Sequence, residues 1–311
     1  MSRITANLLL LLAGLLWGLG FVAQSTAMDD LGPMLFVGLR FLIAALVVLP
    51  FAVAESSRNR GQKRNQMNWS EAAWPVIWIG LVFSIGTVLQ QAGILTTTIT
   101  NAGFLTSLYV VLVPVLVFLV LREQQHWIVW PCSVAAIIGI YLLGGGSLSG
   151  LQPGDLLMIA CAFFWAVHVI LIGKAAQKFG NPIMIATLQF AICGAFGFAG
   201  FGIAQIIGWV DEPWPTLAQV WAAMPEVLYA AVVAAAIGFT LQAIAQQHTR
   251  PADAAILLSS ESLFAALFGA TLLSEVLSVP AYMGCGLIFV AILAVQVIPE
   301  LANRAAVRNS A

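Results

Sequence analysis

Charge is what this chain has least of. Only 8% of its 311 residues are Asp, Glu, Lys or Arg, whereas about a quarter is usual for a soluble domain. So little charge excludes a water-solvated globular surface. Histidine occurs three times and cysteine four times. Cys132, Cys161, Cys193 and Cys285 all fall in apolar stretches without metal-ligand spacing. They read as small packing residues, and neither a metal nor a cofactor is expected. The chain has no Gly-rich phosphate loop with its lysine, no His-Glu-x-x-His pair and no nucleophile elbow. The common enzyme classes are thereby disfavoured, and any ATP-driven activity would need a partner chain. The net charge of −1 gives no footprint for nucleic acid. No stretch alternates apolar with polar residues, which excludes membrane-spanning strands. The two longest loops, 55–71 and 207–221, hold about 15 residues each and are too short to form a soluble domain.

What is abundant is apolar sequence. Hydrophobic residues make up 61% of the chain, and mean hydropathy is +0.99. Ten apolar stretches stand out, roughly 5–26, 33–54, 72–95, 101–121, 127–146, 155–174, 182–206, 222–247, 252–273 and 278–298. Each is close to the ~20 residues that a helix needs to cross the hydrocarbon core. Helices are expected because backbone groups in lipid must bond within their own segment.

The few charges are placed one-sidedly. Threading ten spans with both termini cytoplasmic puts Arg3, Arg58, Arg60, Lys63, Arg64, Arg122, Lys174, Lys178, Arg250, Arg304 and Arg308 on the inner side. The remaining cation, Arg40, lies inside a span. Outer segments carry Asp29, Asp30, Asp155, Asp211 and Glu212 instead. This is the positive-inside pattern. The run Arg58–Arg64 reads as a topology determinant, with acidic lipid or a partner as the alternative. The first 27 residues resemble a signal peptide, but they are the repeat partner of a later helix and are expected to be retained.

The second half is a diverged copy of the first. Gly14-Leu15-Leu16-Trp17-Gly18 returns as Ala162-Phe163-Phe164-Trp165-Ala166, and Pro33 with Arg40-Phe41 as Pro182 with Gln189-Phe190. Gly86-Thr87-Val88-Leu89-Gln90 returns as Gly238-Phe239-Thr240-Leu241-Gln242. Ala102, Leu105, Ser107 and Glu123 line up with Ala254, Leu257, Ser259 and Glu275. Five spans per copy is an odd number, so the copies must be inverted relative to each other. The expected organisation is a first repeat at 1–146, an outer connector at 147–153, a second repeat at 154–299 and a cytoplasmic tail at 300–311. Duplicated membrane units are the usual build of secondary transporters, with the substrate where the copies meet.

Trp69, Trp74, Trp127, Trp130, Trp209, Trp214 and Trp221 fall near span ends and read as interfacial anchors. Gly14 with Gly18, Gly194 with Gly197 and Gly284 with Gly286 suit close helix contact. Pro114 is expected to kink the fourth span, for packing or for movement.

Polar groups at membrane depth mark the candidate site, because they are costly there. Glu261 lies near the middle of its span. It is either a carboxylate that binds a proton or a substrate amine, or a neutral, hydrogen-bonded Glu between helices. Its repeat mate is Tyr109. Arg40 is placed to take a substrate carboxylate, to pair with Glu261 or Asp29, or to snorkel outward. His168 shares a helix face with Trp165 and is either a titrating or a packing residue. Gln24 shares a face with Trp17. Gln90, Gln242 and Gln189 add uncharged polarity, as cavity wall or as helix glue.

With these motifs in place the chain resembles the EamA-type members of the drug/metabolite transporter superfamily, over nearly its whole length. The resemblance rests on Leu15-Leu16-Trp17-Gly18 with Phe21-Val22, Pro33 with Arg40-Phe41, Asn101-Ala102-Gly103-Phe104-Leu105 through Pro114 to Arg122-Glu123, and Ala252 through Glu275. It implies an all-α integral membrane protein of ten transmembrane helices in two inverted five-helix repeats, with a central cavity. It also implies outward movement of small metabolites, amino acids and related amphipathic solutes among them. Expected partners are a small-molecule substrate and the lipid bilayer, for a monomer or homodimer in a bacterial inner membrane. The competing classes are a non-transporting membrane protein and an intramembrane enzyme.

Overall fold

The structure is a computed structural model that describes residues 1–61, 67–143, 152–207, 212–274, 276 and 278–309. The glycine-rich connector, Lys63, Arg64, Trp209, Asp211 and Glu275 lie outside the described residues. Eight helices are long and apolar enough to cross a membrane. They are α1 (Arg3–Thr26), α2 (Pro33–Gly61), α3 (Trp69–Ile94), α4 (Ile99–Leu119), α6 (Pro153–Phe179), α7 (Pro182–Ile207), α8 (Met224–Ala245) and α9 (Pro251–Leu272). Two further apolar helices, α5 (Val129–Leu143) and α10 (Val279–Asn309), pack against each other at the periphery. At 15 residues, α5 is the shortest of the ten.

Local chemistry sets the helix starts. Ser2, Asn68 and Thr98 each accept a hydrogen bond from a first-turn backbone N–H of α1, α3 and α4. Pro33, Pro153, Pro182 and Pro251 open α2, α6, α7 and α9, where the missing N–H costs nothing. Gly180, with φ of 67°, ends α6 in the left-handed conformation.

The fourth and ninth helices are broken at matching points. α4 is interrupted between Thr106 and Tyr109, and α9 at Ser259. Ser107 and Ser259 are repeat mates, and each ends the first piece by donating its N–H back to the carbonyls four and two residues before it. The sequence pointed to Pro114 as the origin of a bend in α4. The break instead precedes Pro114 by six residues, and α9 has alanine in place of that proline. Proline therefore cannot be its cause. The second piece of each helix places a polar side chain just past the break, Tyr109 in α4 and Glu261 in α9.

Helices α2 and α7 pack along their length, and each receives a carboxylate from the other copy at its N-terminus. Glu212 accepts from the backbone N–H groups of Met34 and Leu35 at 3.2 and 2.9 Å. Glu55 accepts from the N–H of Met184 at 3.0 Å. The two contacts lie at opposite ends of the α2/α7 pair, and anions are favoured at helix N-termini. Burial pushes the Glu212 carboxyl above the usual carboxylate range, and its two N–H donors oppose that shift.

Small residues allow the copies to approach. A side chain on Gly14 would meet Ser260, and one on Gly18 would lie 2.9 Å from the Ala265 nitrogen, so α1 lies directly on α9. Gly194 and Gly197 face the α2 backbone at Leu42 and Gly38. Of the last pair, Gly284 lies against Gly139 of α5, whereas a side-chain carbon on Gly286 would meet nothing within 4 Å among the described residues. The described terminal tryptophans Trp69, Trp74, Trp127, Trp130, Trp214 and Trp221 are exposed, as interfacial anchors are. Large apolar side chains such as Leu46, Phe51 and Phe289 are also exposed; they form the face presented to lipid.

Candidate functional site

The side chains at membrane depth converge on one narrow cavity of about 30 Å³. It is bordered by Trp17, Phe21, Gln24, Arg40, Gln90, Thr106, Tyr109, Trp165, Val169, Phe239, Gln242, Leu258 and Glu261. Ten of these thirteen are five pairs of repeat mates, namely Trp17 and Trp165, Phe21 and Val169, Gln90 and Gln242, Thr106 and Leu258, and Tyr109 and Glu261. The cavity thus sits where the two copies meet. Gln24, Arg40 and Phe239 border it without their mates.

Eight of the ten residues singled out from sequence are brought together here. The other two, His168 and Gln189, lie behind the wall. His168 Nε2 and Gln189 Oε1 are 2.9 Å apart, and the imidazole packs on Phe83. His168 Nδ1 and Gln189 Nε2 have no hydrogen-bond partner among the described residues.

Phe239 ties the walls together. Its ring lies 4.5 Å from that of Trp17 and stacks on that of Trp165 at 5.6 Å. One copy alone supplies this residue, because its mate is Thr87. Phe21, Thr106, Val169, Phe239 and Leu258 are the lining residues that sequence reasoning missed. Four of them had a legible signal. Phe21 and Val169 lie one turn beyond the paired tryptophans, and Thr106 and Leu258 one turn before Tyr109 and Glu261.

Arg40 is 4% exposed. Its Nη1 donates to Gln24 Oε1 at 2.8 Å, and its guanidinium lies 4.7 Å from the Phe41 ring centre. It neither snorkels nor forms an ion pair among the described residues, so the pairing with Glu261 or Asp29 is not found. Its Nε has no hydrogen-bond partner. Glu261, also 4% exposed, accepts from Ser107 Oγ at 3.5 Å. The Tyr109 hydroxyl lies beside the same carboxyl without a well-formed hydrogen bond. Among the described residues Gln242 Oε1 and Ser260 Oγ likewise have no partner. Buried polar groups are normally paired; Arg40 Nε, the Tyr109 hydroxyl and Gln242 Oε1 belong to cavity-lining residues and lack a hydrogen-bond partner among the described residues. No group of His, Cys, Asp and Glu able to hold a metal ion occurs among the described residues.

An all-helical, multi-pass membrane protein with a mixed polar and aromatic cavity between two copies of one unit has the build of a membrane transporter. The comparisons agree. The pattern of the EamA-like transporter family matches residues 4–145 and again 152–296, and the chain belongs to that family, within the drug/metabolite transporter superfamily. It is 32% identical over 296 residues to an uncharacterized transporter of Archaeoglobus fulgidus, covering 95% of this chain and 87% of the relative. It is 24% identical over 302 residues to the uncharacterized transporter YwfM of Bacillus subtilis, covering 94% of each. A solved crystal structure superposes with a TM-score of 0.71 at 20% identity, over 98% of this chain and 99% of that one; this likeness concerns the fold.

Proposed function

We propose that this chain is a secondary transporter of the bacterial inner membrane that exports a small organic metabolite, an amino acid or related amphipathic solute, by alternating access. In this reading it has ten spans, with both termini cytoplasmic, in inverted repeats at 1–146 and 154–299. The supporting observation is the cavity itself: unpartnered buried polar atoms from both copies, between aromatic walls, where the repeats meet. Small-molecule sites have this mixture of apolar lining and a few placed polar groups. At about 30 Å³ the cavity has room for one or two waters, so a solute requires the copies to part.

The ion pairs suggest which end is shut. Arg3 pairs with Asp253, Lys174 with Glu123 and Lys178 with Glu71. Each joins the first copy to the second at the end bearing the basic residues. The repeat mates of these pairs contain no cation: Leu151 with Asn101, Thr26 with Glu275, and Asp30 with Ala223. One-sided placement of Lys and Arg therefore confines ionic latching to the cytoplasmic end. A recess of about 370 Å³, bordered by Glu123, Lys174, Gln177 and Arg250, lies just outside it. Exposed pairs hold weakly, which suits a latch that opens every cycle.

Glu123→Lys should speed labelling of a Thr106→Cys reporter by an impermeant maleimide applied from the cytoplasmic side, in a background without the native cysteines. Adding Lys174→Glu should reverse the effect. Unchanged labelling in Glu123→Lys would remove the pair from the latch.

The function itself is tested by profiling metabolites in the medium of a deletion strain and an overexpressor. The solute that follows expression is then measured in proteoliposomes. Absence of flux would favour a non-transporting membrane protein.

A further inference from the structure

Repeat mates in this protein can keep equivalent partners. Thr97 donates to Asp155, and their mates Thr249 and Asn7 are joined in the same way. Trp165 Nε1 donates to Gln90 Oε1 at 3.1 Å. By the same relation Trp17 would reach Gln242. Instead its indole donates to the Ala234 carbonyl at 2.9 Å. Ala234 lies in Tyr229–Phe239, an eleven-residue stretch of π-helix. Such wide turns are rare and gather at functional sites. Gln242 is left 1% exposed, bordering the cavity, with Oε1 unpartnered.

We propose that Gln242 is a specificity-determining residue of the cavity, and that with Glu261 it receives a primary ammonium group on the solute. The proposal rests on the transport reading and goes beyond it by naming the group recognised and the residue freed to recognise it. A glutamine amide can turn end for end, so its surroundings decide which end the solute meets. The donor that would occupy the Gln242 carbonyl, the Trp17 indole, is engaged elsewhere. Glu261 adds further acceptor capacity to the same cavity. An ammonium brings three N–H donors, and a trimethylated nitrogen brings none. The Gln90 carbonyl already accepts from the Trp165 indole, so it is the less available of the two mates.

The test uses the full chain in proteoliposomes loaded with an equimolar mixture of amino acids and their N-trimethylated betaines, with efflux read by mass spectrometry. Wild type should release at least one amino acid about tenfold or more faster than its betaine, because a site built to pair N–H groups rejects analogues that lack them. Gln242→Leu should raise the KM for that amino acid and shrink the preference. Gln242→Glu, which keeps only acceptors, should slow efflux less than Gln242→Leu does and keep a preference for the amine over the betaine. Equal release of amine and betaine would overturn the proposal. So would a Gln242→Glu variant as inactive as Gln242→Leu, since the amide would then be serving as a donor. Should Gln242→Leu fail to fold, the Gln242→Glu arm decides alone. Release of neither class also overturns the ammonium assignment. The transport reading falls with it only if the solute found by metabolite profiling is retained as well.

Discussion

Gly197→Val should abolish the monodisperse peak of the purified protein in detergent, while Gly202→Val, five residues on in the same helix, should elute and melt like wild type. A side-chain carbon on Gly197 would fall 2.5 Å from the Gly38 nitrogen, 2.8 Å from its Cα and 3.0 Å from the Met34 carbonyl oxygen. All three are backbone atoms of α2, so no rotamer change relieves the clash. A carbon on Gly202 meets nothing within 4 Å. The contact joins the two copies along the α2/α7 pair, and in lipid such close backbone packing is a main source of helix association. Overpacking a well-filled contact usually costs ~1–3 kcal/mol, occasionally more. An unyielding backbone on both sides puts this substitution at the upper end. A Gly197→Val protein that matches wild type in elution and melting temperature would show that α2 and α7 do not need this approach.

Glu261→Gln should remove the pH dependence of transport in vesicles and slow transport by about a hundredfold or more, in the range typical of losing one positioned proton-transfer group. Glutamine matches the carboxylate in shape, so the packing around Ser107 and Tyr109 is kept while the titrating proton is lost. The charged or titratable neighbours of Glu261 are Tyr109 and Cys161, with Arg40 bordering the same cavity. Among the described residues no second carboxylate borders the cavity to substitute for it. Tyr109→Phe removes a hydroxyl beside that carboxyl but leaves the carboxyl itself, and it should retain a pH dependence. A Glu261→Gln protein with an unchanged pH profile would leave Glu261 as a binding or packing carboxylate only.

Much of the candidate site was readable because costly residues announce themselves. A carboxylate, a guanidinium and several amides within apolar stretches need a reason to be there, and the duplication supplied a common frame. Eight of those residues border one cavity. His168 and Gln189 carried the same signal but satisfy part of their need with each other, and sequence cannot distinguish a polar pair from a polar wall. Phe239 gave no polar signal, although its mismatch with Thr87 inside an otherwise repeated segment was visible. The breaks in α4 and α9 escaped because they lie at serines that cap by backbone bonding, while proline drew attention seven residues from Ser107.

The amino-acid sequence by itself determined the solvent of this protein, its helical class and its twofold internal repeat. Composition, segment length and periodic matching act residue by residue, so they need no coordinates. Only the tertiary structure decided which partner each buried polar group takes. Arg40 chose Gln24 over Glu261, Trp17 chose a backbone carbonyl over Gln242, and the two serine breaks set Tyr109 beside Glu261. Those choices depend on helix rotation and on one stretch of widened helix, and a change of a single residue in register would reassign them all.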